Sequence, residues 1–238
     1  MWKIIVDSTP QILLAGLQYT VTLSILSFIF GLIIATVVAL LRREQPKRQQ
    51  GMIYFVWRVT DVVLSFYVWL FRSTPLLVQL FIIFYGLPSA GIQIGAFPAA
   101  VITFSLNVGA YASETVRAAL DSVPQAQWEA AATLGLSRRQ TIFEIIFPQA
   151  IRIALPPLSN EFIGLVKDTS LASTITIVEM FAITQQITAK NYQPLLMYSI
   201  VAVIYAFFST ILVFLQKYLE KRTSRYLKAS ALLGENND

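Results

Sequence analysis

Three long runs of the sequence contain no charged residue. They lie between Asp7 and Arg42, between Arg72 and Glu114, and between Lys190 and Lys217. A helix that crosses the hydrocarbon core of a bilayer needs roughly 20 apolar residues, so each run is long enough to cross it. Only 13% of the residues are charged, whereas a soluble domain carries about 25%. The sequence therefore predicts an all-α membrane protein.

We expect about five transmembrane helices in one membrane domain that covers residues 1–238. The middle charge-free run is too long for one helix, and the turn-forming segment 86–91 divides it. Pro75 predicts a break in the second span at Arg72-Ser73-Thr74-Pro75, because proline lacks a backbone N–H and disfavours helix at the preceding residue. A second interruption is expected at Lys167-Asp168-Thr169-Ser170. The predicted spans are about 12–41, 52–86, 97–118, 151–189 and 194–219.

Basic residues are concentrated on one side of this topology, and the opposite loops hold little more than Lys3 and Lys190. The basic side carries Arg42, Arg43, Lys47, Arg48, Arg138, Arg139, Lys217, Lys221, Arg222, Arg225 and Lys228. The positive-inside rule then predicts an outside N-terminus and a cytoplasmic C-terminus, which agrees with five crossings. These charges mark topology, so we expect membrane lipid and no nucleic acid as a partner.

Residue types that carry most catalytic and metal chemistry are missing from the chain. It has no cysteine and no histidine, which excludes disulfides, thiolate chemistry and most transition-metal sites. It also has no Gly-Lys dipeptide, so it cannot contain a P-loop for ATP. We predict no catalytic residue, no metal site and no cofactor in this chain. Any work driven by ATP and Mg²⁺ would take place on a partner.

A hydrophilic stretch, residues 122–148, separates the third and fourth predicted spans. Ser122-x-x-Gln125 and Ser137-x-x-Gln140 both fit capping boxes, and Gly135 fits a helix terminator between them. Pro148 is expected to limit the second helix. The stretch predicts two short cytoplasmic helices, which either contact a soluble partner or rest on lipid as interfacial helices.

Four motifs resemble the ABC-importer permeases of the polar amino-acid family, which includes histidine, arginine, glutamine and cystine permeases. Glu129-Ala130-Ala131, then Gly135, then Ile145-Ile146-Phe147-Pro148 resembles the EAA coupling loop. Phe147 departs from the leucine of the family pattern. The other three motifs are Arg72-Ser73-Thr74-Pro75-Leu76-Leu77-Val78-Gln79, Ala112-Ser113-Glu114-Thr115-Val116-Arg117 and Lys167-Asp168-Thr169-Ser170-Leu171.

The resemblance implies that the two short helices are coupling helices in the cleft of a cytoplasmic ABC ATPase subunit, which binds ATP and Mg²⁺. The residues expected at that contact are Trp128, Glu129, Ala130, Ala131 and Gly135. It further implies a second permease chain, identical or homologous, and an external solute-binding protein. The importer would lie in the cell (inner) membrane as a multi-pass protein. It would take up a polar amino acid, with cystine and the basic amino acids among the candidates.

Polar residues occur on one face of the third predicted span. Asn107, Tyr111 and Glu114 are spaced i, i+4 and i+7, so they either pack against a neighbouring helix or line a wet cavity. The resemblance favours the cavity, with Glu114 binding the ammonium group of the substrate. Asn107, Tyr111 and the backbone beside Ser73 or Thr74 would bind its carboxylate.

An intrahelical ion pair between Glu114 and Arg117 is the competing interpretation. Weaker candidates for the pathway are Asp61, Arg72, Glu161, Lys167, Asp168 and Glu179. As an alternative function, an ion-gradient-driven secondary amino-acid transporter would use Asp61 and Glu114 as ion sites. An intramembrane enzyme is disfavoured, because no acidic pair on adjacent helices can be located from the sequence.

Overall fold

The chain folds into α-helices joined by short turns. A computed structural model describes the backbone of residues 2–43 and 51–234 and the side chains up to residue 223, and no strand occurs in this part of the chain. Lys47, Arg48 and the tail 235–238 lie outside the described residues. The α-helices are α1 Trp2–Ala15, α2 Val21–Arg43, α3 Met52–Ser73, α4 Leu76–Phe81, α5 Ala96–Asp121, α6 Gln125–Thr133, α7 Arg138–Gln140, α8 Phe147–Asp168, α9 Met180–Asn191 and α10 Pro194–Gly234. The π-helical turns are Gly16–Thr20, Ile82–Gly86 and Thr141–Ile146, and the 3-10 helices are Leu87–Ala90 and Thr169–Ile175.

Five helical stretches in the described residues are long and apolar enough to cross a membrane, as predicted. They are Trp2–Arg43, Met52–Ser73, Ala96–Asp121, Arg138–Ile175 and Pro194–Thr223. The predicted break in the second span is also confirmed. The helix α3 ends at Ser73, and Thr74 and Pro75 are extended before α4 begins.

The first span begins earlier than the predicted residue 12. The helix α1 continues through the π-helical turn Gly16–Thr20 into α2. Ile12 is fully buried with Met180 and Met197, so α1 packs against α9 and α10. Tertiary packing, rather than the length of the apolar run, therefore sets the start of this helix.

The helical stretch that contains the fourth span has other limits than the predicted span of 151–189. Pro148 does not end a helix. The π-helical turn Thr141–Ile146 joins α7 to α8 just before Pro148 and accommodates the lack of a backbone N–H at this proline. The helical stretch that contains the fourth span therefore begins at Arg138, and the predicted start at 151 lies inside it. It ends at Ile175 rather than 189, since Thr176 adopts a left-handed conformation with φ 71° and α9 follows as a separate helix. The predicted interruption at 167–170 is confirmed, because α8 ends at Asp168.

The helix α5 lies at the centre of the fold and packs closely on α2. A Cβ atom on Gly31 would lie 2.6 Å from Val108 Cγ1, and one on Gly109 would lie 2.7 Å from Ile34 Cγ2. Glycine is therefore needed at both positions for the two backbones to approach, as in many membrane helix pairs. This packing places the polar face of α5 opposite the break between α3 and α4.

Candidate functional site

The break between α3 and α4 is held together by one buried amide. Gln79 Nε2 donates hydrogen bonds to Phe71 O at 2.8 Å, to Thr74 O at 3.0 Å and to Thr74 Oγ1 at 2.9 Å. Its Oε1 accepts a hydrogen bond from Asn107 Nδ2 at 2.9 Å. The Gln79 amide nitrogen therefore donates to carbonyl groups beside the break, where the proline supplies no N–H, and the Gln79 amide oxygen ties the break to α5. Sequence reasoning did not select Gln79, although it ends the quoted motif.

Two further predicted residues lie beside this break. Tyr111 OH donates to Arg72 O at 3.4 Å, and the Arg72 guanidinium lies 5.5 Å from the centre of the Tyr111 ring. Ser73 is exposed as the last residue of α3. The helix-break site is thus formed by Arg72, Thr74, Gln79, Asn107 and Tyr111. Substrate binding by Ser73, Thr74, Asn107 and Tyr111 stays a prediction.

Glu114 has different surroundings from Asn107 and Tyr111. Its Oε1 accepts from Arg42 Nη1 at 2.7 Å, and its Oε2 accepts from Arg117 Nη2 at 2.7 Å. The competing ion pair with Arg117 is therefore present, together with an unforeseen one to α2. Arg42 also lies 3.6 Å from Asp61, which is 4.0 Å from Arg58. The substrate roles of Glu114 and Asp61 stay predictions, but both carboxylates already have cationic partners.

This set of ion pairs extends to the end of α5 and to α6. Arg117 Nη1 lies 3.2 Å from Asp121, and Arg43 Nη2 lies 3.7 Å from the other oxygen of Asp121. The Arg43 guanidinium also stacks over the Trp128 ring at 4.5 Å. We call Arg42, Arg43, Asp61, Glu114, Arg117 and Asp121 the charged cluster. It connects α2, α3 and α5 to the polar stretch that follows.

The polar stretch 122–148 contains the helices α6 and α7, which are joined by a turn. We call this whole stretch the polar hairpin. The capping box predicted at Ser122 is wrong, because Ser122 closes α5 and its Oγ donates to Ala119 O at 2.8 Å, while Pro124 precedes α6. The second capping box is present, with Ser137 and Gln140 each bonded to the other's backbone N–H.

Gly135 ends α6 as predicted. Its φ is 72°, and the N–H groups of Gly135 and Leu136 donate to Ala132 O and Ala131 O at 3.0 and 3.1 Å. These two bonds form a Schellman motif, in which a residue with positive φ follows the helix. A residue with a Cβ atom would be strained there, although no neighbouring atom would block it.

The predicted coupling residues divide between two faces of α6. Ala131 is 1% exposed, and Trp128 packs against a buried cluster that includes Leu120 and Ile146. Glu129, Ala130 and Leu134 are exposed. On the exposed face of α6, Ala130 is a small side chain, Leu134 is a large apolar one and Glu129 is acidic. A direct partner contact of Ala131 or Trp128 stays a prediction, and both are engaged within the chain here.

The described residues hold no cluster of three or more histidine, cysteine, aspartate or glutamate side chains that could bind a metal ion. They do form an apolar cavity of about 470 Å³ between α2, α8 and α10. Its lining is almost entirely aliphatic and aromatic, and it lies away from the helix-break site. Thr36, Ser159 and Gln216 are the polar residues of its lining.

A family described as "Binding-protein-dependent transport system inner membrane component" matches residues 52–225. The chain is 47% identical over 227 residues to the L-cystine transport system permease protein TcyB of Bacillus subtilis, which covers 95% of this chain and 92% of that protein. It is 36% identical over 223 residues to the glutamine transport system permease protein GlnP of Escherichia coli, covering 93% and 96%.

Solved structures have the same fold. The crystal structure of an amino acid ABC transporter with histidines contains a chain that is 29% identical, with a TM-score of 0.75 and coverage of 92% of this chain and 94% of that one. A chain of the inward-facing MetNI methionine ABC transporter is 20% identical, with a TM-score of 0.72 and coverage of 90% and 96%. The second likeness concerns the fold alone.

Proposed function

Because the chain belongs to the family of binding-protein-dependent transport system inner membrane components, we propose that it is the permease subunit of an ATP-driven amino-acid importer. Membership places it in the inner membrane as an integral component, and it agrees with the resemblance read from the four motifs. The permease would provide the path across the bilayer. The single observation that carries the proposal is the family match over residues 52–225, which contain the second to fifth spans and the polar hairpin.

The polar hairpin is the element suited to receive an ATPase subunit. Glu129 and Ala130 are exposed on α6, and the Schellman motif at Gly135 fixes where that helix ends. Small side chains permit close approach, and Glu129 offers one charge to a cationic partner. ATP and Mg²⁺ would be bound by the ATPase subunits, and no ATP hydrolysis would occur in this chain.

The remaining partners follow from the same proposal. A second permease chain, identical or homologous, would complete the pathway, and an external solute-binding protein would deliver the substrate. The helix α3 is open to contact with a second chain or lipid, since only 6% of its most apolar 18 residues are buried. The N-terminus would lie outside, because Arg42, Arg43 and the basic residues of the hairpin share one side of the fold.

A polar amino acid is the proposed substrate, and L-cystine is the first candidate. The L-cystine permease TcyB is 47% identical to this chain, and the glutamine permease GlnP is 36% identical. The helix-break site suits such a solute, because it combines a guanidinium, an amide and a phenol in an otherwise apolar span. The ion-gradient alternative has less support, because its expected ion sites Asp61 and Glu114 are paired with arginine.

Reconstitution with the cognate ATPase and solute-binding protein in proteoliposomes tests the proposal. We expect uptake of L-cystine or another polar amino acid that requires ATP and survives collapse of ion gradients. Glu129→Lys and Gly135→Ala should lower uptake per ATP hydrolysed, whereas Lys190→Gln, far from the hairpin in sequence and exposed, should not. Uptake that follows an ion gradient and ignores ATP would reject the importer.

A further inference from the structure

The apolar cavity between α2, α8 and α10 is a groove that opens at the side of the helical bundle, and we call it the lateral groove. Its volume is about 470 Å³. Its floor carries Ala150 and Ala154 of α8, which are each 2% exposed. Its edges carry Ile29 of α2 and Leu215 of α10, which are 50% and 51% exposed. The lateral groove therefore has a buried floor and an open side, through which a long apolar group can enter.

The three polar side chains in the lining of the lateral groove already have partners within the chain. Thr36 Oγ1 and Ser159 Oγ each donate to the carbonyl group four residues earlier, both at 2.8 Å. Gln216 Nε2 donates to Glu220 Oε1, also at 2.8 Å. An occupant of the groove therefore gains little from polar groups of its own, and burying them there would be costly. The lining selects a hydrocarbon.

The lateral groove lies on the opposite side of α5 from the helix-break site. Val116 is the residue that α5 contributes to the lining, and it follows Asn107 by nine residues. Nine residues of an α-helix make about two and a half turns, so Val116 and Asn107 point in roughly opposite directions. Asn107 bonds Gln79 at the break. A second chain that met this one at the helix-break site would therefore leave the lateral groove facing lipid.

Positive charge continues the lateral groove along α10. Arg222 follows Leu219 by three residues and Leu215 by seven, so it lies on the same face of α10 as these two lining residues. Lys217 and Arg222 are exposed, and no carboxylate of the described residues lies within ion-pair distance of either. Glu220, the acidic residue of this segment, accepts a hydrogen bond from the lining. The groove thus has an apolar body and a cationic end.

An apolar body with a cationic end matches a lipid that has an anionic head group. Basic residues beside a membrane attract anionic lipids, and the acyl chain of such a lipid is the hydrocarbon that the lining requires. A second copy of this chain fits the groove worse. Two copies inserted in the same direction bring the same cations to the same depth, and like charges across an interface repel each other.

We propose that the lateral groove binds one acyl chain of an anionic glycerophospholipid, whose phosphate lies beside Arg222 and Lys217. The acyl chain lies over Ala150 and Ala154 and fills space that the helices leave unpacked. Because it contacts α2, α8 and α10 together, its binding stabilises the folded state. This site goes beyond the proposed function and requires only a bilayer, so its test is independent of transport.

Photolabelling of the permease assembled with its ATPase subunits, in nanodiscs of phosphatidylcholine, tests where acyl chains bind. The probe is a small amount of phosphatidylglycerol with a diazirine on one acyl chain. Mass spectrometry of peptides should find more label on Ile151 and Leu215, which line the groove, than on the exposed Val63 of α3. Phosphatidylcholine with the same diazirine should label the groove about fivefold less, since one basic residue near the membrane attracts an anionic lipid by about this factor.

Three variants separate the acyl chain from the head group. Ala154→Phe fills the floor of the lateral groove and should remove most of the labelling by either lipid. Arg222→Gln should keep the labelling but lower the excess of phosphatidylglycerol over phosphatidylcholine about fivefold, whereas Arg222→Lys should keep most of that excess. Ala206 is exposed on α10 outside the groove, so Ala206→Phe adds the same bulk and should be labelled as wild type is.

Thermal unfolding in detergent is the second measurement. Added phosphatidylglycerol should raise the Tm of wild type and of Ala206→Phe more than phosphatidylcholine does. The Tm of Ala154→Phe should not respond to either lipid. Thr36→Leu fills the same groove from α2, and it replaces Ala154→Phe if that variant does not elute as one assembled species. A filled groove whose Tm still responds as in wild type would overturn the proposal.

Other occupants of the lateral groove give different results. The chain has no cysteine, so Leu215→Cys introduces its single thiol at the edge of the groove. If Leu215→Cys forms a disulfide between two copies faster than Val203→Cys, at an exposed position outside the groove, a second copy covers the groove and the proposal is wrong. Equal labelling of the groove and α3 by both lipids would show contact with bulk lipid alone and would also overturn it. ATP-dependent uptake would still support the proposed function in either case.

Discussion

Glu114 and Glu161 lie on helices that pack against each other, yet they have opposite electrostatic surroundings. Glu114 accepts hydrogen bonds from Arg42 and Arg117, both at 2.7 Å. Glu161 receives one hydroxyl hydrogen bond from Thr115 and keeps a buried oxygen without a partner. The first carboxylate is paired with two arginines of its own chain, whereas the second has no ion-pair partner among the described residues. The difference shows that the charged cluster connects helices within the chain, whereas the face of α5 that carries Thr115 leaves one buried carboxylate oxygen of Glu161 without a partner.

The charged cluster and the helix-break site can have different roles in one transporter. The charged cluster joins the end of α2 to the middle of α3 and to the last turns of α5, and it reaches Trp128 of α6 through Arg43. A movement of the polar hairpin would therefore be passed to these helices together. The helix-break site lies further along α5, where Asn107 and Tyr111 contact the end of α3. Substitutions can test the two regions separately.

Reversing the charge of Arg42 should have the largest effect. Arg42→Glu would place three carboxylates together, with Asp61 and Glu114 left without this cation, although Glu114 keeps Arg117. Breaking a largely buried ion pair costs about 3–5 kcal/mol of folding free energy, and Arg42 and Glu114 are both about one-fifth exposed, at 21% and 22%. Thermal unfolding in detergent should show a large drop in Tm. The swap with Glu114→Arg should recover part of it, and no recovery would argue against a direct pair.

Neutralising the two glutamates should then give opposite results. Glu114→Gln removes the charge that two arginines share and should destabilise the fold by about 1.5–3 kcal/mol. Glu161→Gln keeps an oxygen for Thr115 and removes an unpaired buried charge, so the stability should stay the same or rise. Unfolding free energies of the two variants measure this. A larger loss for Glu161→Gln than for Glu114→Gln would invert the comparison.

Arg43 should matter less, because its ion-pair partner Asp121 is half exposed. Arg43→Gln removes the stacking on Trp128 and a 3.7 Å ion pair with the half-exposed Asp121. Together these contacts contribute about 1 kcal/mol. Hydrogen exchange should become faster in α6 and remain unchanged in α5. An equal change in both helices would mean that Arg43 supports the whole fold.

Glu179 is a third buried carboxylate, and its contribution to the stability of the fold should depend on pH. It lies between the fourth and fifth spans and accepts from the N–H groups of Phe181 and Ala182 and from Tyr205 OH. Burial raises the pKa of this carboxyl above 4.5, and the three hydrogen bonds offset only part of the increase.

A raised pKa means that the folded state binds the proton of Glu179 more tightly than the unfolded state does. Its contribution to stability is therefore full below the unfolded pKa and is lost as pH rises through the folded pKa. The difference in Tm between wild type and Glu179→Gln should fall from about pH 4 to about pH 8. A difference that grows with pH would show that the hydrogen bonds outweigh burial.

Much of the helical framework was predictable, because the relevant signals are local. The apolar runs indicated five spans, and Pro75 marked the break that α3 shows at Ser73. Gly135 and Ser137 were identified correctly as the end of one short helix and the start of the next. Ser122 was misassigned because the same residue type can close a helix or begin one. At Pro148, a π-helical turn compensates for the missing backbone N–H donor. A proline in the sequence does not by itself indicate such a turn.

The candidate site was only partly predictable. Helical spacing selected Asn107 and Tyr111, and the position of Pro75 selected Thr74. The structure places all three beside the break, and their binding of substrate stays a prediction. Gln79 was missed, since a glutamine in an apolar run gives no sign that it will close a break. Glu114 was preferred to Glu161 because it follows Asn107 and Tyr111 at helical spacing. Its partner Arg42 is 72 residues away.

Hydropathy and residue order were sufficient to predict a membrane protein with five spans and a polar hairpin, because the cost of placing a segment in lipid is a sum over its own residues. They could not establish which carboxylate is free to bind a cation. That depends on which side chains from distant helices come within about 3 Å of it, and on the close packing of α5 against α2 and α8. Three-dimensional packing alone separates Glu161, with its open oxygen, from Glu114.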